Sequence, residues 1–416
     1  MKLARIASVL AAFLALSSST PSFSEEDSTG RPGWVRRKID ALLSDVTPGT
    51  GRGRSFGPFT PGVAILSSGA GPAPILHLWA PNLVGTPLDI HASAAYSLYK
   101  YSYFDLRVGL VPHVGDRIPR VERGTGALFP LTDIEKTATA PSFSAYVSAR
   151  YRDYPREDFS GMGPQTFKAN RTDFRLRDGL YEGIVRQRFG RLSVMGRAGL
   201  LQTSILPGRD SSFPNTEEAY DERTAQGLVS APDFLHLSAG GWLERRDEPL
   251  NPHRGMALGV SVSRFDERKG NTFQWNRLIV DAREYIPLGS KRHILALRQA
   301  TSIDRPDAGS TVPFYLQSTL GGSRLLRGYG SSRFHDLKLL YLAGEYRFEV
   351  RPKVELALLY DTGKVFSASE DFNLKNLRRS YGAGIRLKSP RKVHFRLDVL
   401  RSLEGTRVHV KLEPSF

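Results

Sequence analysis

Carboxylates and guanidinium groups are the side chains through which this chain could act. It has 58 Lys and Arg against 42 Asp and Glu, nine His and no Cys. Without cysteine there are no disulfides, thiolate zinc sites, iron–sulfur clusters or cysteine nucleophiles. No Gly-x-Ser-x-Gly turn presents a serine, and no His-Glu-x-x-His presents a pair of metal ligands. The histidines are scattered without ligand spacing. His91, His394 and His409 fall on positions assigned below to a water-facing side, where a solvated or hydrogen-bonded imidazole is the ordinary state. The adjacent carboxylates Glu370 and Asp371 lie in a polar loop and are solvated. The sequence therefore predicts no enzyme, no metal site and no cofactor. Three groups invite a specific role: Arg327, which a glycine follows, and Glu345 and Asp361, which stand within apolar segments.

The elements that position these groups are strands. Lys2 and Arg5 precede the apolar stretch 6–16, and Ser22-Phe23-Ser24 offers small residues where a signal peptidase reads. That is the layout of an export signal, so residues 1–24 are expected to be removed. No Cys follows to carry a lipid anchor. Residues 25–61 form a short tail, rich in Pro, Gly and Arg, in which Trp34, Val35, Ile39, Leu42 and Leu43 line one side of a short helix. From about residue 62 the pattern has period two. Val354, Leu356, Leu358 and Tyr360 alternate with Glu355, Ala357, Leu359 and Asp361. Tyr381, Ala383, Ile385 and Leu387 alternate with Gly382, Gly384, Arg386 and Lys388. Val393, Phe395, Leu397 and Val399 alternate with His394, Arg396 and Asp398, and Val408, Val410, Leu412 and Phe416 with Arg407, His409, Lys411 and Glu413. Successive side chains of a strand point to opposite faces, so each strand has one apolar and one charged face.

A soluble sandwich also alternates, with its apolar face inward. Here the strands run to roughly ten residues or more, against about 5–6 in most sheets. Full charges and glycines occupy the polar face, and the chain is exported. A transmembrane antiparallel β-barrel has this pattern, apolar toward lipid and polar toward the lumen. Closure also removes the open edge that lipid would not tolerate. No segment after the export signal approaches the ~20 apolar residues of a spanning helix. A mean hydropathy of −0.30 fits a barrel in which only alternate residues face lipid. Short and long connections alternate along the chain, as periplasmic turns and outer loops do. The rhythm breaks only between 111 and 142, where one further strand would restore it. The expectation is a barrel of about 16 strands, an even number, over residues 62–416.

Three stretches carry a family resemblance. Residues 244–255 read ERRDEPLNPHRG, residues 320–336 read LGGSRLLRGYGSSRFHD, and residues 359–363 read LYDTG. In this order and spacing they resemble the BamA/TamA-type surface-antigen barrel family. Residues 151–164, YRDYPREDFSGMGP, resemble an outer-loop motif of shorter members, and Phe416 matches the terminal aromatic of outer-membrane barrels. The resemblance implies that Asp247, Pro249, Pro252 and Gly255 shape a periplasmic turn. It implies that a long sixth loop folds into the lumen with Arg327, Gly328 and Tyr329 at its tip. Phe416 would be read by the barrel assembly machinery during biogenesis.

The strand phases put Glu345 and Asp361 in the lumen on neighbouring strands. A guanidinium binds carboxylates through parallel hydrogen bonds, so the family pattern implies a lock of Arg327 on Asp361 and Glu345, with Gly363 beside it. The alternative is a free surface loop with an exposed arginine. The family's insertases carry POTRA domains of roughly 75 residues, the size of a small domain, and residues 25–61 are too few for one; a POTRA-less member is expected. The implied function is assembly or transport of a protein or lipid client at the outer membrane, by a monomeric barrel with a working seam between first and last strands. The alternatives are an anion-preferring pore, passive or gated, and a structural surface antigen contacting lipopolysaccharide. Nucleic acid is no partner for such a barrel. The formal charge of +16 is a matter of lumen anions and of the phosphates of outer-membrane lipids.

Overall fold

A computed structural model describes residues 58–67, 70–112, 131, 142–389 and 392–411. The expected export signal, the tail helix, Glu413 and Phe416 lie outside the described residues. All described residues belong to the compact unit that begins at Gly51.

Among the described residues eighteen strands follow one another: β1 (Phe59–Ile65), β2 (Pro72–Ala80), β3 (Asp89–Tyr96), β4 (Ser102–Leu110), β5 (Phe143–Phe159), β6 (Thr172–Phe189), β7 (Leu192–Pro207), β8 (Phe234–Glu244), β9 (Gly255–Glu267), β10 (Gln274–Leu288), β11 (Ser290–Pro306), β12 (Ser318–Leu320), β13 (Phe334–Asp336), β14 (Lys338–Arg351), β15 (Val354–Phe366), β16 (Arg378–Ser389), β17 (Lys392–Ser402) and β18 (Gly405–Lys411). β1 to β11 and β14 to β18 make one 16-stranded sheet in chain order, and β12 and β13 pair apart from it. Every neighbouring pair is antiparallel, from β1–β2 to β17–β18. The fold is an all-β, outer-membrane-type barrel.

The sheet is inside-out, as the alternation predicts. Leu358, Tyr381, Val408 and Val410 are exposed on its outer face, whereas Glu345, Arg347, Glu355, Arg386, Arg396 and Asp398 are buried on the inner one. The curvature is visible in contacts between distant strands. At the end with the long loops, Arg378 donates through Nη2 to the Pro164 carbonyl at 2.8 Å, and Arg333 through Nη1 to Thr166 Oγ1 at 2.9 Å. At the end with the short turns, Val393 N–H donates to the Leu250 carbonyl at 3.1 Å, joining the β8–β9 turn to β17 across the mouth.

The expected strand between 111 and 142 needs correction. β4 pairs directly with β5, with Leu110 opposite Ala145, so no strand stands between them. The sixteenth strand is β1, which begins at Phe59, ahead of the expected boundary at 62. The parity argument assumed short connections at the turn end, and the 111–142 connection is long.

Apolar side chains fill the inside of the loop end. Phe159, Phe174, Phe234, Phe265, Trp275 and Phe314 belong to one buried cluster, joining walls from β5 to β10 to the loop before β12. This explains the poor alternation along β6. Near the loop end its inner positions Phe174 and Leu176 are apolar and buried. The outer positions Arg175 and Arg177 are ion-paired with Asp153, at 2.5 and 3.2 Å. The polarity of the two faces is reversed there, with apolar side chains inward and ion-paired ones outward. A second buried cluster lies toward the turns and includes Leu131, Tyr146, Ile184, Trp242 and Ile279.

Candidate functional site

The loop between β13's partner strand β12 and β13 itself, residues 321–333, lies in the interior against β14 to β18. Its tip turns sharply: Leu326 has φ 55°, a left-handed value uncommon for a side chain with a Cβ. Tyr329 N–H closes the turn on the Leu326 carbonyl at 3.1 Å, and Gly322 N–H binds the Tyr329 carbonyl at 3.2 Å. Leu325, Leu326 and Tyr329 are buried with Phe334, Leu339 and Tyr341. The loop is thus clamped by its own apolar residues before its polar tip is considered.

Arg327 projects from that turn into a set of buried carboxylates. Its Nε donates to Asp361 Oδ2 at 2.8 Å and its Nη2 to Asp361 Oδ1 at 2.6 Å, a two-pronged pair. Its backbone N–H donates to Asp361 Oδ2 at 2.8 Å. Nη1 donates to Glu345 Oε1 at 2.6 Å and lies 3.5 Å from Asp398 Oδ2. The structure thus brings Arg327, Glu345 and Asp361 together and adds Asp398. Arg347 and Arg386 hold the far side of Glu345 at 3.0 and 2.9 Å. Asp398 was visible in the sequence only as one inward residue among several. Its proximity depends on where β17 falls in register.

Small inner-face residues of β16 make room for the tip. Asp361, Ser380 and Ser402 stand opposite one another across β15, β16 and β17. Gly328 N–H donates to Ser380 Oγ at 3.2 Å, and Ser402 Oγ donates to the Gly328 carbonyl at 2.8 Å. A Cβ on Gly328 would come within 2.3 Å of Ser380 Cβ. Next to it, His409 Nε2 meets the Arg327 carbonyl at 2.7 Å. The tip therefore touches all five strands from β14 to β18. Gly363 serves close approach: a Cβ there would lie 2.6 Å from the Leu340 carbonyl oxygen and 3.3 Å from Leu320.

The turn motif sits at the opposite end. Asp247 Oδ1 accepts the backbone N–H groups of Glu248, His253 and Arg254 at 2.9, 3.0 and 3.2 Å. Gly255 has φ 99°, and a Cβ would lie 2.2 Å from the Arg245 carbonyl oxygen, so only glycine fits. Pro249 and Pro252 bracket Leu250 and Asn251, the two residues that reach β16 and β17: Asn251 Nδ2 donates to the Ser389 carbonyl at 3.1 Å. The turn motif thus shapes a bridge across the mouth as well as a chain reversal.

Other interior groups pair with one another. Arg152 is forked onto Asp178, and Arg277 Nε donates to Asp304 Oδ1 at 2.5 Å. Arg283 and Arg298 share Asp281 at 2.9 and 2.7 Å. Strand phases suggested no Ser/His/Asp set, yet His77 Nδ1 lies 2.8 Å from Ser93 Oγ. Its Nε2 has no hydrogen-bond partner. Asp105 is bound by Arg107 Nε at 2.8 Å. A triad needs a carboxylate on the second imidazole nitrogen, and none stands there. His335, in the ribbon of β12 and β13, is pushed down to about 3 by burial and by Arg333, so its imidazole is neutral against Phe159. Among the described residues no group of His, Asp and Glu is set to hold a metal ion.

Comparison places this architecture. Residues 215–400 match the Omp85 superfamily domain. The fold is similar to that of BamA from Haemophilus ducreyi lacking POTRA domains 1–3, with a TM-score of 0.57 at 14% identity over 82% of this chain and 66% of that one. CdiB from Escherichia coli matches with a TM-score of 0.49 at 13% identity, over 85% of this chain and 62% of that chain. The chain thus spans slightly under two thirds of the length of these solved structures. No curated protein matches it in sequence.

Proposed function

We propose that this Omp85 superfamily barrel, which resembles the BamA/TamA type, assists the assembly or transport of a protein or lipid client at the outer membrane, and that it does so without catalysis. The observation that carries this reading is the attachment of the loop tip to the five strands at the C-terminal edge of the sheet. Arg327, Gly328 and their carbonyls are bound by Glu345, Asp361, Ser380, Ser402 and His409, one residue from each of β14 to β18. The sheet order begins at β1 and ends at β18. The seam between a barrel's first and last strands is the part of the wall that opens without breaking the ladders between consecutive strands. A loop that braces the strands beside the seam sets how far it parts. The lock is a brace for a moving wall, and the client would pass or be received at the seam. Outer-membrane lipids, lipopolysaccharide, the assembly machinery and the client are its expected partners.

The test is deletion of the gene followed by quantification of outer-membrane proteins and lipids, with complementation by wild type and by Arg327→Ala. Loss of one client class, restored only by wild type, is expected. An unchanged envelope proteome and lipid profile after deletion would sink the proposal. The rival reading is an anion-preferring pore, favoured by the buried cations near β18. The apolar cluster and the loop occupy part of the interior, so purified protein in planar bilayers is expected to conduct weakly and noisily. Steady, anion-selective conductance would favour the rival.

A further inference from the structure

The short turns carry a charge pattern of their own. Arg191 stands in the β6–β7 turn, Arg245 opens the β8–β9 turn and Arg292 follows the β10–β11 turn. Arg351 and Lys353 lie at the β14–β15 turn, and Lys392 follows the β16–β17 turn. All are exposed, and among the described residues none makes an ion pair. The carboxylates of this end are mostly engaged. Glu244 binds Arg246 at 2.5 Å, Glu349 binds Lys388 at 2.8 Å, and Asp247 accepts three backbone N–H groups. Glu248 and, opposite Met256 on the outer face of β10, Glu284 are left to face this ring of cations. Like charges at one level repel one another, and a counter-charge from outside the chain offsets that.

The surroundings of the ring identify that counter-charge. Phe189 and Leu192 flank Arg191, Leu288 stands just ahead of Arg292 across its turn, and Val350 adjoins Arg351, all of them exposed apolar side chains. The cations therefore begin where the apolar outer face stops, which is the depth of lipid headgroups. An acidic soluble partner would need no such apolar border. The β2–β3 connection, residues 81–88, has no charged residue, so the ring follows the wall from β6 to β17 and leaves out β1 to β3.

We propose that this ring binds the phosphates of anionic phospholipid headgroups in the leaflet at the turn end. It anchors the wall from β6 to β17 and leaves β1 to β3 as the freer side of the seam. A guanidinium presents a planar fork to two phosphate oxygens, and a lysine ammonium adds a point charge. Basic side chains at a membrane surface are drawn to anionic lipid. The inference deepens the reading of the chain as an outer-membrane barrel and rests on it.

Native mass spectrometry of the purified full-length protein, from micelles doped equally with phosphatidylglycerol and phosphatidylethanolamine, tests this. Wild type is expected to retain phosphatidylglycerol over phosphatidylethanolamine by about fivefold or more, and added salt should reduce the preference. Changing Arg191, Arg245, Arg292, Arg351, Lys353 and Lys392 together to Gln should abolish it. If that variant does not fold, as judged by heat-modifiable mobility on a gel, Arg351→Gln with Lys353→Gln and Lys392→Gln stands in its place and should lose part of the preference. The control changes Arg305, Arg379 and Arg401 to Gln, exposed cations at the loop end of β11, β16 and β17, and should keep the wild-type preference. Equal loss in that control overturns the proposal, because the effect would then be one of net charge. Equal retention of the two lipids by wild type also overturns it and leaves the ring to an acidic protein partner. Neither result bears on the client role, which gene deletion tests separately.

Discussion

Arg327→Ala is the perturbation whose consequences the structure allows to be worked through partner by partner. Glu345 would keep Arg347 and Arg386 at 3.0 and 2.9 Å, and Asp398 would keep Arg396 at 3.2 Å. Asp361 has no such reserve. Among the described residues its hydrogen bonds all come from residue 327, two from the guanidinium and one from the backbone N–H. The damage therefore falls on one buried carboxylate left with a single donor. Removing one partner of a buried ion pair costs about 3–5 kcal/mol, and that loss is expected in urea unfolding of the reconstituted barrel followed by tryptophan fluorescence. Arg327→Lys keeps the charge without the fork and should fall between wild type and alanine. If the cost comes from the stranded Asp361 charge, Arg327→Ala with Asp361→Asn should cost less than the two single changes summed, by about 1–3 kcal/mol. Additive costs, or a loss for Arg327→Ala below about 0.5 kcal/mol, would refute the reasoning.

The remaining predictions follow from close contacts. Gly328→Ala drives a methyl group into Ser380, so limited proteolysis within 320–336 should become faster, and Ser380→Gly in the same chain should slow it again. Asp247→Ala removes an acceptor shared by three backbone N–H groups, which should lower stability by about 1.5–3 kcal/mol in the same unfolding assay. Leu250→Cys with Val393→Cys, in a chain without cysteine, should form a disulfide on oxidation that shifts mobility on a gel. Absence of that shift would count against the bridge across the turn-side mouth.

Much of the architecture was legible in the sequence because strand periodicity is local. Whether a side chain points to lipid or lumen depends on its own parity, so the inward placement of Glu345, Asp361, Arg386 and Arg396 follows from the alternation alone. The total of 16 strands was also within reach, but one position was not. Loop rhythm suggested a hidden strand after residue 111, whereas β4 and β5 pair directly and the count is completed by β1. Connection length is a statistical cue, and a single long turn defeats it.

What the sequence by itself determined is the polarity of each face and the identity of the groups that face inward. Which of those groups meet is decided by register, because sliding a strand by two residues preserves every face and changes every cross-strand neighbour. Register sets Ser380 and Ser402 under Gly328, adds Asp398 to the Arg327 cluster, and aligns Arg386, Arg396 and Lys411 in one row. The curl of the sheet brings Leu250 to Val393 from the far wall. These contacts are long-range in the chain, and only the tertiary structure decided them.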